Sequence, residues 1–223
     1  TDAFSTGISP ETVNLSLPND LDIEILADDF TRGQSFYNLM IEVDPSNDAL
    51  VYVGGIDLFR SFDSGSSWSQ ISKWSNNNYL RFLDVSKVHA DQHKMVFRPG
   101  FPDEAIFGND GGVYYASSLL EAASSASAIQ ARIKDYNVTQ FYKGAIGQDE
   151  NNEIFLAGAQ DNGSQLIEMA SSGVNSFQDV FGGDGAFQFI DKDGEYMIVS
   201  YVYNYYAILD LPYTGSGAII DQD

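Results

Sequence analysis

Two histidines and an aspartate occupy alternate positions of one short segment, as His89, Asp91 and His93. Alternate residues of an extended chain point to the same side. Two imidazoles and a carboxylate on one side could bind a transition metal, or they could hydrogen-bond to neighbouring strands. The chain contains no other histidine, so the sequence favours hydrogen bonding.

Two further aspartates lie in glycine-rich turns, Asp110 in "GNDGGVY" and Asp184 in "GGDGAF". An inverting glycosidase uses two carboxylates roughly 6.5–9.5 Å apart, one as acid and one to activate water. We predict this role for Asp110 and Asp184. Alternatively, Asn-Asp-Gly and Asp-Asn-Gly are simply hairpin turns. The remaining ligand-binding candidates are Gln160, Asp161, Tyr142 and Tyr203.

Two other acidic turns are interpreted as structural. In "SFDSGSSW", the Ser61 hydroxyl and the Asp63 carboxylate can satisfy loop N–H groups, Gly65 permits a positive φ, and Trp68 can pack into a sheet. The turn "DKDGE" contains Asp191 and Asp193, for which a Ca²⁺ site is the alternative to a solvated turn. No other cofactor is expected.

Charge and composition exclude several classes of protein. The chain has 32 acidic and 11 basic residues, for a net charge of -21. Such a chain repels phosphate backbones and lacks a basic patch for lipid headgroups, so we expect no nucleic-acid partner. No run approaches the roughly 20 apolar residues of a membrane span, so we expect no membrane insertion. The absence of cysteine excludes disulfides and thiolate sites.

An apolar pattern recurs along the chain. "LVYVG", "AIFG", "IFLAG" and "YMIVS" end at Gly54, Gly108, Gly158 and Ser200, at intervals of 54, 50 and 42 residues. Each run lies between an acidic turn and a second apolar or aromatic run. Further strand-like pieces flank these runs. Four short strands repeating every roughly 40–50 residues are typical of propeller blades.

We therefore predict an all-β protein, a β-propeller of four-stranded blades. The four predicted blades are residues 36–80, 81–136, 137–181 and 182–223, and residues 1–35 are interpreted as a partial preceding blade or outer strand. A β-sandwich explains the strands but not their recurrence. The Ala/Ser-rich residues 117–131 could form a short helix. We expect a piece of a larger propeller of about six to eight blades, with exposed blade faces that favour self-association.

The eight residues from Ser61 to Trp68 fit the pattern S-x-D-x-G-x-x-W. They resemble the Asp-box, or BNR repeat, of sialidases, family 74 glycoside hydrolases (xyloglucanase-like) and sortilin-type receptors. Residues 89–117 and 137–164 are also similar to blades of family-74-like propellers, and the resemblance covers residues 36–210 approximately. It implies a bacterial protein that is secreted or on the cell surface, in an extracellular or periplasmic setting.

The resemblance is incomplete at the catalytic positions. Sialidases need an arginine triad, whereas the five arginines of this chain fall mostly in or beside strands. Family 74 enzymes place a catalytic Asp in a "D-x-G-G" turn, which "NDGGVY" resembles at Asp110. They divide their two carboxylates between two propellers, however, and this chain cannot contain both.

Strand order predicts where a ligand would bind. If the strands of a blade run a to d from the axis outward, the b–c and d–a loops share one face. Propeller ligands usually bind on that face. The Asp-box joins c to d and lies on the opposite side. We predict a glycoside-hydrolase-like propeller that acts on or binds polysaccharide; the alternative is a non-catalytic scaffold or receptor. Whether the protein is an enzyme stays open, and a glycosidase is the expected type.

Overall fold

The computed structural model describes residues 15–26, 28–75, 78–134, 136, 138–148 and 153–220. These residues form eighteen β-strands and no helix, which confirms the predicted all-β fold. The chain divides into two compact units, Thr1–Tyr136 and Asn137–Asp223. No helix among the described residues is long and apolar enough to cross a membrane.

The first unit contains two four-stranded antiparallel sheets and one short parallel pair. The first sheet has the order β1-β2-β3-β4 and the second the order β7-β8-β9-β10, so each strand pairs with its neighbour in the chain. The strands are β1 Met40–Asp44, β2 Asn47–Gly54, β3 Leu58–Ser61, β4 Ser69–Gln70, β5 Ser72–Lys73, β6 Ser86–Lys87, β7 Gln92–Arg98, β8 Phe101–Asn109, β9 Gly112–Ala116 and β10 Ile129–Ala131. Strands β5 and β6 form the parallel pair.

The second unit contains two more sheets of the same kind, in the orders β11-β12-β13-β14 and β15-β16-β17-β18. Their strands are β11 Lys143–Gln148, β12 Glu153–Ala159, β13 Gly163–Ile167, β14 Gln178–Phe181, β15 Gln188–Ile190, β16 Tyr196–Ser200, β17 Tyr206–Asp210 and β18 Gly217–Ile220. Four antiparallel meanders of four strands are the blades predicted from the sequence repeat.

Within each unit the two sheets share one hydrophobic core. In the first unit, Tyr52 and Leu58 of the first sheet pack with Met95 and Phe107 of the second. All four side chains are buried, and burial of each large apolar side chain contributes about 1.5–3 kcal/mol. In the second unit the shared core is Ile154, Leu156, Leu166, Val180, Ile190, Met197, Val199, Ala207, Leu209 and Leu211.

Residues 15–38, which we call the strap, cover the other side of the first sheet. The described part of the strap contains no strand. Residues 1–14 lie outside the described residues, and the partial blade or outer strand assigned to residues 1–35 stays a prediction. Phe30 of the strap packs with Val51, Val53 and Phe59. Its ring meets that of Phe59 edge-on, with centroids 5.9 Å apart.

The helix predicted for residues 117–131 is wrong. These residues form turns followed by β10, because Asp103 organises the turn in place of helical hydrogen bonds. Its carboxylate accepts the Leu120 N–H at 2.7 Å and the Ser118 hydroxyl at 2.8 Å. Leu119 and Ala122 then enter the shared core of the first unit.

Candidate functional site

In each unit the b–c loops and the segments that precede the inner strands lie together. We call this side the loop face. In the first unit it comprises residues 55–57, 89–91, the first two residues of β7 and residues 110–111, and in the second unit residues 142, 160–162, 182–187 and 201–205. The register of the sheets produces this arrangement, since Gln92 at the start of β7 lies opposite Asn109 at the end of β8.

Asp110 is the centre of a polar cluster on the loop face of the first unit. The Tyr37 hydroxyl donates to Asp110 Oδ1 at 3.1 Å and to Oδ2 at 2.9 Å. His93 Nε2 lies 2.5 Å from Oδ1, where a proton on that nitrogen makes a charge-assisted hydrogen bond. The rings of Tyr37 and His93 meet edge-on, with centroids 5.0 Å apart. The structure thus brings two predicted residues together, and adds Tyr37.

Asp91 and His89 lie beside this cluster in the same loop. The Asn38 side-chain amide donates to Asp91 Oδ1 at 2.7 Å. Asp91 has a φ of 66°, a left-handed conformation that is costly for a residue with a Cβ. His89 packs against Gly111, where an added Cβ would lie 2.4 Å from the His89 Cβ. Only glycine permits that approach.

Gln92 connects the β2–β3 loop of the first sheet to the segment that precedes β7 in the second sheet. Its side-chain amide donates to the His89 carbonyl at 2.6 Å and to the Ile56 carbonyl at 3.3 Å. Its side-chain oxygen accepts from the Asn109 amide at 3.3 Å. Gln92 is fully buried, so these bonds fix the loops with little competition from water.

The loop face of the second unit has its own cluster. The Tyr142 hydroxyl donates to Gln160 Oε1, and Asp184 Oδ1 accepts the Asp161 N–H at 2.9 Å. Asp161 has a φ of 58°, as does Tyr203. The Tyr142 side chain is 60% exposed and that of Tyr203 is 89% exposed. Asp110 and Asp184 belong to different units, and their assignment as a catalytic pair stays a prediction.

Metal binding receives no support from side-chain placement. Among the described residues, no group of three or more histidine, aspartate or glutamate side chains could hold a metal ion. In the "DKDGE" turn, Asp191 Oδ2 accepts the N–H groups of Asp193 at 3.1 Å and Glu195 at 3.5 Å. These contacts are those of a turn closed by its own carboxylate, and the Ca²⁺ alternative stays a prediction.

The turn between β3 and β4 is closed by its own side chains. Ser61 Oγ donates to Asp63 Oδ1 at 2.8 Å and accepts the Gly65 N–H at 2.8 Å. The Ser67 hydroxyl and N–H each donate to the Asp63 carboxylate at 2.7 Å. These bonds, led by the Ser67 hydroxyl, lower the pKa of Asp63 to about 2. Gly65 has a φ of 91°, and Trp68 packs against the core around Phe59.

A buried polar cluster under the strap was absent from the sequence-based candidates. Asp57 of the β2–β3 loop is fully buried and accepts hydrogen bonds from Ser72 Oγ at 3.1 Å and Gln70 Nε2 at 3.2 Å. Burial, then the nearby Asp20, raises the pKa of Asp57 well above its usual value. Arg32 pairs with Asp20 at 2.9 Å. Acidic residues scattered through an irregular segment give no spacing pattern that could have predicted this cluster.

Tyr37, by contrast, could have been found from the repeat. A Phe-Tyr pair lies shortly before β1, at residues 36–37, and another directly before β11, at residues 141–142. Both tyrosines donate to a polar side chain in a b–c loop, Tyr37 to Asp110 and Tyr142 to Gln160. The sequence predicted Tyr142 as a ligand-binding residue, and the same pattern identifies Tyr37.

Comparison with known proteins finds matches among solved structures. No protein-family model matches the sequence, and no curated protein matches it. Among solved structures, the chain is similar to one titled "YCF48 bound to D1 peptide", with 14% sequence identity and a TM-score of 0.27. The match covers 77% of this chain and 51% of the other, so the chain spans about half the length of that protein.

Proposed function

We propose that the loop face binds polysaccharide, as part of a glycoside-hydrolase-like β-propeller that is secreted or on the cell surface. The Asp110 cluster carries this proposal. A sugar presents hydroxyls that donate and accept hydrogen bonds, together with apolar C–H surfaces. Asp110, held by Tyr37 and His93, offers acceptor oxygens beside two aromatic rings. Few, well-placed polar groups among aromatic rings are typical of small-molecule sites.

The second unit supports the same proposal on its own loop face. Tyr142 places an exposed ring beside the Gln160 side chain, and the exposed Tyr203 ring lies in the β16–β17 loop. A tyrosine combines a large apolar ring with a hydroxyl that can hydrogen-bond. Repetition of this combination suits a polymer whose successive sugars offer the same groups.

Hydrolysis is the less supported part of the proposal. In an inverting mechanism one carboxylic acid donates a proton to the leaving oxygen, and the other carboxylate accepts one from water. Asp110 accepts hydrogen bonds from Tyr37 and His93, and Asp184 accepts one from the Asp161 backbone. Both carboxylates accept hydrogen bonds, and neither donates the proton that the acid of an inverting mechanism must supply. Their contacts therefore favour binding over the full acid–base mechanism.

The test is binding and hydrolysis measured on one polysaccharide panel. Affinity electrophoresis of the wild type should identify a retarding glycan, and Asp110→Asn should weaken the retardation about tenfold, because the amide offers one acceptor instead of two. Asp63→Asn, which removes a carboxylate from the opposite side, is the matched control. Release of reducing ends that is lost in both Asp110→Asn and Asp184→Asn would support catalysis. No binding of any glycan by the wild type would overturn the proposal.

The second candidate function is a non-catalytic scaffold or receptor. The observation that favours it is a set of large aliphatic side chains on the strap, each half exposed or more: Leu15, Leu17, Leu21, Ile23 and Leu26. Exposed apolar groups in one region mark interaction surfaces, here for a second copy of the chain. Sedimentation of the wild type against the double variant Leu21→Ser and Ile23→Ser tests this. A concentration-independent monomer in both would exclude self-association.

A further inference from the structure

The strap is held to the first sheet by side chains and not by a strand ladder. Among the described residues, the backbone–backbone hydrogen bonds of the strap are all local turns, such as Ile25 N–H to Asp22 O and Tyr37 N–H to Gln34 O. The hydrogen bonds between the strap and the first sheet each involve a side chain. The Leu21 N–H donates to Gln70 Oε1 at 3.0 Å. A segment without a ladder belongs to the less stable parts of a fold.

The middle of the strap is closed by a buried ion-pair cluster. Arg32 Nη2 lies 2.9 Å from Asp20 Oδ2 and 3.7 Å from Asp22 Oδ2. Both carboxylates are almost completely buried, and Asp57 of the sheet lies close enough to interact with Asp20 and Arg32. Removing the only arginine of such a cluster leaves buried carboxylates without compensation, which is strongly destabilising.

The far end of the strap supplies two donors to the loop face. Tyr37 and Asn38 are its last two residues, and they donate to Asp110 and Asp91 respectively. One continuous segment therefore contains both the ion-pair cluster and two of the groups that hold the candidate ligand-binding carboxylates. If the strap leaves the sheet, Asp91 loses the Asn38 donor and Asp110 loses the Tyr37 donor but keeps His93.

We propose that the strap is a separable clamp whose docking, secured by Arg32, sets the arrangement of Asp91 and Asp110 on the loop face. The docked clamp holds the two carboxylates through Asn38 and Tyr37. The released clamp removes both donors, leaves His93 as the partner of Asp110, and uncovers Val51, Val53 and Phe59. The effect of the clamp on ligand binding rests on the proposed function. The docking of the clamp on the first sheet does not depend on that function.

The chain has built-in reporters of clamp docking, since both of its tryptophans contact the strap. Trp68 Nε1 donates to the Ser16 carbonyl at 2.8 Å, and the Arg32 guanidinium lies 5.7 Å from the centroid of the Trp74 ring. Its two histidines report the other end, because the His93 ring meets Tyr37 whereas His89 packs against Gly111.

The experiment compares Arg32→Gln with Arg81→Gln, which removes the same charge from an exposed position outside the strap. Arg32→Gln should red-shift tryptophan emission, increase acrylamide quenching and move the NMR resonances of His93 more than those of His89. Arg81→Gln should match the wild type. Unchanged emission and His93 resonances in Arg32→Gln would overturn the clamp.

Hydrogen exchange of the wild-type protein covers the case in which Arg32→Gln fails to fold. Strap amides should exchange together and faster than those of β1–β3. Exchange of strap and sheet at one common rate would overturn the proposal. With a glycan ligand identified, Arg32→Gln should weaken its binding about tenfold. If no glycan binds but the strap readouts respond as expected, the proposed function fails while the clamp stands.

Discussion

Tyr37 donates one hydroxyl to both carboxylate oxygens of Asp110, at 3.1 and 2.9 Å, across 73 residues of sequence. This contact joins a residue shortly before β1 of the first blade to the β8–β9 turn of the second. It places a side chain outside the sheets in the centre of the candidate site. Its removal is therefore the most direct test of whether the strap belongs to that site.

Tyr37→Phe removes that hydroxyl and keeps the ring. A hydrogen bond to a charged group contributes about 1.5–3 kcal/mol, so glycan affinity should fall roughly 10- to 100-fold. Isothermal titration with the glycan identified for the wild type measures the change. Tyr196→Phe, at the start of β16 in the second unit, makes the same substitution away from the loop face. Equal affinities in the two variants would remove Tyr37 from the site.

Asp63→Asn should reduce the loss of folding stability that the protein shows as the pH falls below 3.8. Hydrogen bonds from Ser67 and Ser61 lower the pKa of Asp63 from 3.8 to about 2, so its ionised form is favoured by folding. That contribution is complete above 3.8 and is lost as the pH falls through about 2. Melting temperatures followed by circular dichroism across this interval measure it. A variant with the wild-type pH dependence would contradict the assignment.

Asp57→Asn should stabilise the protein near neutral pH. Burial raises the pKa of Asp57 well above 3.8, so folding favours its neutral form. The contribution is largest below 3.8 and declines as the pH rises through the higher pKa of the folded state. An amide stays neutral throughout. Urea unfolding at several pH values should show a flatter profile for Asp57→Asn, whereas Asp48→Asn, at an exposed position, should keep the wild-type slope.

Gly185→Ala should destabilise the second unit by about 1–3 kcal/mol. The new Cβ would lie 2.2 Å from the Gly163 carbonyl oxygen and 2.9 Å from the Ala159 nitrogen, both backbone atoms. Gly182→Ala is the matched control, since nothing lies within 4 Å of its added Cβ; its change should stay within about 0.5 kcal/mol. Urea midpoints compare the two, and equal midpoints would show that the loop adapts.

The blades were predictable because their apolar runs alternate and recur. Leu156 and Leu166 are two such residues, and they pair across β12 and β13 as neighbouring strands of a meander should. The fourth strand of the second blade, Ile129–Ala131, lies at the end of the Ala/Ser-rich segment for which a helix was predicted. Ile129 is buried in the core of the first unit. Core packing, and not the local helix propensity of the segment, therefore determined where this strand forms.

The candidate site was predictable only where it lies in a loop between recognisable strands. His93 lies at the start of β7 and Asp110 in the turn after β8, and they meet because β7 and β8 pair. Asn38, Asp20 and Arg32 belong to a segment without periodicity, where no pattern relates one residue to the next. Their roles depend on contacts with the sheet they cover, which only the folded structure reveals.

The meander and the strap together constrain the order of events during synthesis. Each blade can form as soon as its fourth strand has left the ribosome, because every strand pairs with its predecessor. The strap precedes the first sheet in the chain and is made before it, and its tie from Ser16 to Trp68 spans 52 residues. At about 5–20 residues per second, Ser16 waits roughly three to ten seconds before Trp68 is made. The nascent chain therefore exposes Phe30 and the other apolar side chains of the strap before the sheet that receives Phe30 exists.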